Sequence, residues 1–262
     1  MLAIARRDIA SIFSSAIASI VLTIFSLILG GCFVLQLADY QTRNIQIARQ
    51  AAMNPDPEAL FEQVDVVEMV VVPVIYVGAV ALMFIVPMIT MRLFAEEKKV
   101  GTDELLLTAP LTTIQIVGGK YLAALATIAA AIVAATLPIG LLFLMGRPPW
   151  KIIASIYLGI FLLAATYAAF SLLASSLTQN QIVAAVLPFG LFLLMWVVGL
   201  FPTEEEMKTS TWWALSAYTS TSWHFEDFLK GVVDTTHLVY YVTASFLGCF
   251  LTARVIDSSR WR

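Results

Sequence analysis

Charge is what this sequence has least of. Asp, Glu, Lys and Arg make up 13% of its 262 residues, about half the share of a soluble domain. With 60% hydrophobic residues, the apolar excess is too large to bury inside a globule of this size, so lipid is its natural solvent. A net charge of -3 gives no electrostatic footprint for nucleic acid. The two cysteines, Cys32 and Cys249, both sit in apolar runs, which excludes a disulfide framework and suits small buried hydrophobes. No HExxH motif occurs and no paired acids fall within the apolar runs, so hydrolytic chemistry lacks its usual groups. From Ile152 to Thr203 there is no Asp, Glu, Lys, Arg or His, and proton-coupled transport and voltage sensing therefore lack theirs. A phosphate loop is also missing. Gly118-Gly119-Lys120 resembles the end of one, but Tyr121 replaces the required Ser or Thr, and Ile114 stands where the first Gly belongs. Any ATP that drives this protein is bound by another chain. No cleavable leader is expected, because the apolar run after Arg6 and Arg7 extends to Ala38, beyond the roughly 7–15 residues of a leader core.

Long apolar runs are what is present. Runs of about 20 residues predict six membrane-spanning helices: Ser15–Leu37, Met69–Met91, Tyr121–Met145, Ile152–Leu173, Gln181–Leu200 and Leu238–Val255. An even number puts both termini on one side. Placing them in the cytoplasm puts nine Lys and Arg inside and six outside, the sense of the positive-inside rule. The fold expected is an all-α integral membrane protein, residues 1–262 as one domain, with outer segments 38–68 and 201–237 and a cytoplasmic loop 92–120. The first outer segment holds Asn54-Pro55-Asp56-Pro57, a turn signal between two helix-like stretches. The second concentrates Trp212, Trp213, Tyr218, Trp223, Phe225 and Phe228, as a segment lying at the outer headgroup layer would. It is either an aromatic belt or a lid over a translocation path, with Trp212, Trp213, Trp223, His224 and Phe225 as the candidate outer gate. His237, at the edge of the sixth span, is expected to serve as an ordinary interfacial residue. Pro73, Pro87, Pro138 and Pro188 lie within spans, as static kinks or as hinges.

The most informative stretch joins the second and third spans. Arg92 with Glu96, and Glu96 with Lys99, share a helix face that carries the second helix past the membrane. Gly101 is placed to end it, with Lys98 and Lys99 in its last turn. A short new helix should follow, capped by Thr102, with Asp103 and Glu104 at its positive end, Leu105, Leu106 and Leu107 filling it and Pro110 stopping it. Thr112-Thr113-Ile114-Gln115 then forms a capping box that starts the third helix. Three consecutive leucines on a short helix outside the membrane suit contact with a soluble partner. The candidate coupling residues are Glu96, Glu97, Gly101, Thr102, Asp103, Glu104, Leu105, Leu106, Leu107 and Pro110.

This stretch resembles the cytoplasmic loop of ABC-2 type permeases: Glu96-Glu97-Lys98-Lys99, then Gly101 to Pro110, then Gly119-Lys120-Tyr121-Leu122-Ala123. The turn Ser175–Gln181 and the run His224–Thr235 are similar to those of the gliding-motility-associated branch of bacteria. The resemblance covers nearly the whole chain. It implies a bacterial inner-membrane permease subunit that is not itself an enzyme, dimerises with a second permease protomer and binds two cytoplasmic ABC ATPase subunits, which hold ATP and Mg. It implies that Thr102–Ala109 is the coupling helix, that the first 13 or so residues form an amphipathic helix on the inner membrane surface, and that an extracytoplasmic auxiliary subunit accompanies the permease in that branch. Spacing allows the amphipathic helix, with Leu2, Ile9, Ile12 and Phe13 on one face and Arg6, Arg7 and Asp8 polar. Two other functions remain open: a membrane scaffold that applies ATP-driven force to an outer partner without moving a solute, and a standalone channel or carrier, which the uncharged spans disfavour.

Overall fold

The computed structural model describes residues 1–52, 65–102, 111–146, 148–201 and 210–259. These residues are mostly helical, with no strand among them. A short helix α1 (Leu2–Ser14) precedes α2 (Ala16–Ala51); then come α3 (Val72–Thr90), entered through a π-turn at Val67–Val71, and α4 (Arg92–Val100). The chain continues as α5 (Thr113–Thr136), a tight 3₁₀ stretch Leu137–Leu141, α6 (Leu142–Met145), α7 (Trp150–Leu177) and α8 (Gln181–Val198). Two short helices, α9 (Thr211–Thr219) and α10 (Thr221–Leu229), lead to α11 (Thr235–Ser259). Six helices are long and apolar enough to cross a membrane: α2, α3 with its extensions, α5 with α6, α7, α8 and α11. The six expected spans are the six observed.

α7 is the axis of the bundle. It packs against α3, α5, α8, α10 and α11, and 67% of its most apolar window is buried, against 22% for α8. The first and the last described residues lie at one end. There α1 crosses the start of α5, and Asp257 near the end of α11 accepts a hydrogen bond from Thr113. This is called the terminal end below, and the opposite one the far end.

Three features depart from expectation. α2 runs unbroken for 36 residues, about 54 Å at 1.5 Å per residue, so its last turns extend well beyond a hydrocarbon core of about 30 Å. The first half of the expected outer segment 38–68 is therefore a continuation of the span, stiffened by an Asp39–Arg43 pair at 2.9 Å; Asn54–Pro57 lie outside the described residues. Second, α1 does not turn Asp8 to water. Its inward face is Ile4, Ala5, Asp8 and Ile12, while Leu2 and Phe13 are exposed, because Asp8 has a buried partner described below.

Third, the aromatic segment is not all at the surface. α10 lies sunk alongside α7. At its start Thr221 meets the hydroxyl of Tyr167 at 3.3 Å, and near its end the Phe228 carbonyl accepts from Ser155 at 3.2 Å. Tyr167 is 17 residues below Trp150 along α7, about 25 Å by helix rise, so α10 climbs from mid-bundle to the far end. Phe225 and Phe228 are buried, whereas Trp212 on α9 is 80% exposed. Gly159 makes room for this packing. A Cβ there would stand 2.5 Å from Cβ of Phe228, too close for any side chain to accept without movement of a helix.

Gly159→Ala should therefore destabilise the detergent-solubilised protein by about 1–3 kcal/mol, the cost of overpacking a filled interior. Gly30→Ala, where an added Cβ meets nothing within 4 Å, should leave the thermal midpoint unchanged or slightly raised. Equal midpoints for the two variants would show that α10 is not wedged against α7.

Candidate functional site

α4 is the helix that carries the chain away from the bundle toward residues 103–110. Its geometry at the terminal end forms the candidate site. Met91 separates α3 from α4, and the break orphans backbone donors at the start of α4. Ser175 of α7 takes them: its hydroxyl accepts from the amides of Phe94 and Ala95 at 3.2 and 3.1 Å and donates to the Met91 carbonyl at 2.8 Å. One turn further along α4, Lys98 donates to the Ser176 carbonyl. α4 is thus capped by a side chain from a different span. Its own C-terminus closes as the sequence indicates, on Gly101 with φ of 77°, a left-handed conformation that favours glycine. The Thr102 amide and hydroxyl both point back to the Glu97 carbonyl.

The opposite flank of α4 is held by charge. Lys120 of α5 has 1% of its side chain exposed. Its ammonium lies 2.8 Å from Glu97, 3.3 Å from Asp8 and within hydrogen-bond distance of the Leu93 carbonyl, and 4.9 Å over the ring of Phe94. Arg7 reaches over the same two carboxylates, 2.6 Å from Glu97 and 2.7 Å from Asp8. Two cations and two anions from α1, α4 and α5 thus alternate. Burying an ammonium is tolerable only with such matching. Arg92 extends the tie to the joint between α1 and α2, donating to Ser15 at 2.6 Å. A cleft of about 260 Å³ opens among Arg7, Asp8, Arg92, Glu96, Glu97 and Lys120.

α1 reaches this cluster because α5 is bare where the two cross. A Cβ at Gly119 would stand 3.0 Å from Ile4 Cβ and from the Met1 carbonyl. The Gly118-Gly119-Lys120 run that resembles a phosphate loop is a helix crossing followed by a buried cation.

Of the expected coupling residues, Glu97 is at the centre of the cluster and Gly101 ends α4. Glu96 is peripheral, 3.9 Å from Arg92. Thr102 is placed at the C-terminal cap of α4; whether it also caps a following helix rests on residues outside the description, as do Asp103, Glu104, Leu105, Leu106, Leu107 and Pro110. The capping box that starts α5 is formed as expected, Thr112 with Gln115. Asp8, Lys120, Ser175 and Ser176 were not singled out as site residues from sequence; Asp8 lies 112 positions from Lys120, Ser175 lies 81 from Phe94, Ser176 lies 78 from Lys98, and Lys120 lies 27 from Leu93. The one available signal was a lysine directly after paired glycines, opposite an acid on an amphipathic helix.

At the far end the expected gate residues divide. His224 and Phe225 are buried in α10, Trp223 is half-buried, and Trp212 and Trp213 stand on exposed α9. Between α2 and α3 runs an apolar lateral groove of about 620 Å³, lined by Ile17, Ile24, Ile28, Tyr76, Val80 and Phe84 among others. Among the described residues no group of three or more His, Cys, Asp or Glu is placed to hold a metal ion.

A family model described as ABC-2 family transporter protein matches residues 67–224, from the π-turn before α3 to the middle of α10. No curated protein matches the chain.

Removing the buried cation should release both short helices. Lys120→Ala leaves two carboxylates facing each other with the Arg7 guanidinium alone beside them, a loss of about 3–5 kcal/mol. Hydrogen exchange should then rise in α1 and α4 together, and the double variant Lys120→Met with Glu97→Gln should recover part of the protection. Rapid exchange confined to α5 would mean that the cluster does not hold α1 and α4.

Proposed function

The chain belongs to the ABC-2 family of transporter proteins, and from that membership we propose that it is the membrane-spanning permease subunit of an ABC transporter, coupled to ATP hydrolysis on a separate ATPase. The observation that carries the proposal is the family match laid over six apolar spans. The terminal-end geometry supports it. A lever is useful only if it is stiff at its base, and α4 is fixed on one flank by Ser175 and Ser176 and on the other by Lys120 and Arg7. Residues 103–110 leave from the end of that mount. In this reading the terminal end faces the cytoplasm, and Asp103 to Ala109 form the contact that the ATPase moves.

The lack of ionisable residues from Ile152 to Thr203 favours a hydrophobic or amphipathic cargo over a small inorganic ion, which needs polar coordination in place of its water. The low burial of α8 leaves apolar surface for a second protomer, and two protomers would recruit two ATPases. The far-end segments, with α2 projecting and α9 exposed, suit an extracytoplasmic auxiliary subunit such as the gliding-motility branch carries. Force transmission to such a subunit without solute movement is the second reading, favoured by the projecting turns of α2. ATPase stimulation by a cargo distinguishes the two.

Co-purification with the ATPase tests the assignment. Leu106→Asp should insert normally, since the residue lies outside the bilayer, but should lose the ATPase. An apolar contact worth about 1.5–3 kcal/mol disappears and an unpaired charge enters the interface. Glu104→Lys should weaken recovery less, by placing a cation at the positive end of a helix. Glu62→Lys, in the other loop, should match the parent. Full ATPase recovery with Leu106→Asp would remove the coupling role from this segment. Purified permease alone should hydrolyse no ATP.

A further inference from the structure

The chain has two histidines, thirteen residues apart, and the fold brings them together. His224 of α10 and His237 of α11 face each other through their Nδ1 atoms at 2.6 Å. The outer nitrogens are both engaged: His224 Nε2 lies 3.0 Å from the Tyr218 carbonyl and His237 Nε2 lies 2.7 Å from Asp227 Oδ2. The side chains are nearly enclosed, with 2% and 7% of each residue exposed, and Tyr240 stacks on the His224 ring at 3.9 Å. The expectation that His237 is an ordinary interfacial residue does not survive this geometry.

Hydrogens can be counted here. A carbonyl oxygen only accepts, so His224 Nε2 carries one. An ionised carboxylate only accepts, so His237 Nε2 carries another. If both rings were neutral, each would have spent its single hydrogen, and two bare lone pairs would face each other at 2.6 Å. That contact is repulsive. One further hydrogen turns it into a short N–H···N bond. Placing that hydrogen on Asp227 instead, with the others shifted one bond along, leaves the total at three.

We propose that His224 and His237 form a proton-binding site, holding one proton between their Nδ1 atoms with Asp227 as counter-charge, and that this proton clasps α10 to the head of α11. Burial pushes His224 below the ordinary imidazole range, and the neighbouring His237 adds to that push against the opposing effects of the Tyr218 carbonyl and Asp227. That favours the neutral form of His224, while Asp227 lies 2.7 Å from the outer nitrogen of the other ring. Asp234, at the N-cap of α11, is held below the usual carboxylate range chiefly by the Thr236 amide and adds a second negative charge near His237. Lys230 pairs with Glu226 at 3.2 Å and lies 3.9 Å from the other oxygen of Asp227. Tyr218 of α9, Phe228 of α10 and Tyr240 and Tyr241 of α11 complete the surround. A metal ion fits the pair less well. Two nitrogens about 2.0–2.1 Å from a tetrahedral zinc stand more than 3 Å apart.

The site is a joint. α10 is tied to α11 in one further place, by Tyr241 donating to the Thr221 carbonyl at 2.9 Å, and the end of α9 is tied to α11 by Tyr240 donating to the Thr219 carbonyl at 2.8 Å, but neither of those bonds needs an added proton. The histidine pair does. Raising the pH removes the third hydrogen and leaves facing lone pairs. Lowering it adds a fourth and leaves two facing N–H groups. The clasp exists only in the window between, and its two steps belong to the pair rather than to either ring. Asp227, 40% exposed at its side chain, gives the pair access to solution at the far end. The seating of the inserted helix thus follows proton activity there.

With two histidines in the chain, selective ¹⁵N-histidine labelling of the full-length protein in lipid nanodiscs reports on the pair alone. Both rings should titrate together in two steps, with a far-downfield N–H proton present between them. Asp227→Asn should lower the upper step by about one pH unit, the smaller end of the effect of a lost counter-charge. Hydrogen exchange of α10, corrected for intrinsic rates, should be slowest within the window. Above it, exchange should rise about tenfold or more, as the loss of a hydrogen bond to a charged group implies, and His237→Gln should remove this pH dependence. Two rings titrating independently, without a downfield proton, would overturn the shared site. Exchange in α10 indifferent to pH while the rings titrate would overturn the clasp. Added Zn²⁺ displacing the shared proton at micromolar concentration would make the pair a metal site instead.

Discussion

An ammonium group with 1% of its side chain exposed has to be neutralised where it sits, and the terminal end of this protein is arranged around that requirement. Lys120 is fixed by α5, which is a membrane span. Its two carboxylates come from outside that span: Asp8 from the short helix α1 and Glu97 from α4, the extension of α3. Such a cluster contributes little net stability against an apolar packing of the same volume. Its effect is positional. Alternatives in which α1 or α4 swings away leave a bare buried charge, so the surface helix and the membrane-exit helix share one register against α5.

The two short helices α4 and α10 sit at opposite ends of the bundle and are held by the same device. Each follows a break in the chain, and each is tied to a neighbouring span by hydroxyl groups. Ser175 caps the broken start of α4, while Ser155 donates to the Phe228 carbonyl of α10 and Tyr167 meets its Thr221 hydroxyl. All three belong to α7, whose 28 residues contain one charged side chain, Lys151, at the far end. α8 also touches both, packing Ala184 against Met91 and Ala95 and offering the Trp196 carbonyl to Ser222. A nearly uncharged pair of spans therefore joins α4 at the terminal end to the helix inserted at the far end. Hydroxyl groups provide these ties because a serine or threonine in an apolar helix costs little when its partner is a broken backbone.

The far end differs from the terminal end in how its charge is matched. Lys120 is opposed by fixed carboxylates. The histidines are opposed by Asp227 and by each other, so their charge is variable. A fixed cluster suits an element that has to transmit displacement without yielding, whereas a titrating pair suits a contact that has to open.

Six apolar runs of sufficient length, bounded by charge and turn residues, determined the six spans and their order, because in lipid a helix is the structure in which a single apolar segment satisfies its polar backbone within itself. The cap at Gly101 and the capping box at Thr112 and Gln115 were equally legible, since both are local rules acting over three or four residues. Other features were decided only in three dimensions. Asp8 reads as the polar face of an amphipathic helix, and its burial depends on a lysine 112 positions away. Ser175 reads as packing in a span, and it becomes a cap because α3 breaks at Met91 on the neighbouring helix. The aromatic segment reads as surface, but Gly159 and the hydroxyl of Tyr167 open a place for α10 inside the bundle. His224 and His237 read as unrelated until α10 and α11 fold together. Local hydrophobicity and helix-end chemistry are written in consecutive residues; the pairing of buried polar groups is set by helix crossings, which a one-dimensional pattern does not contain.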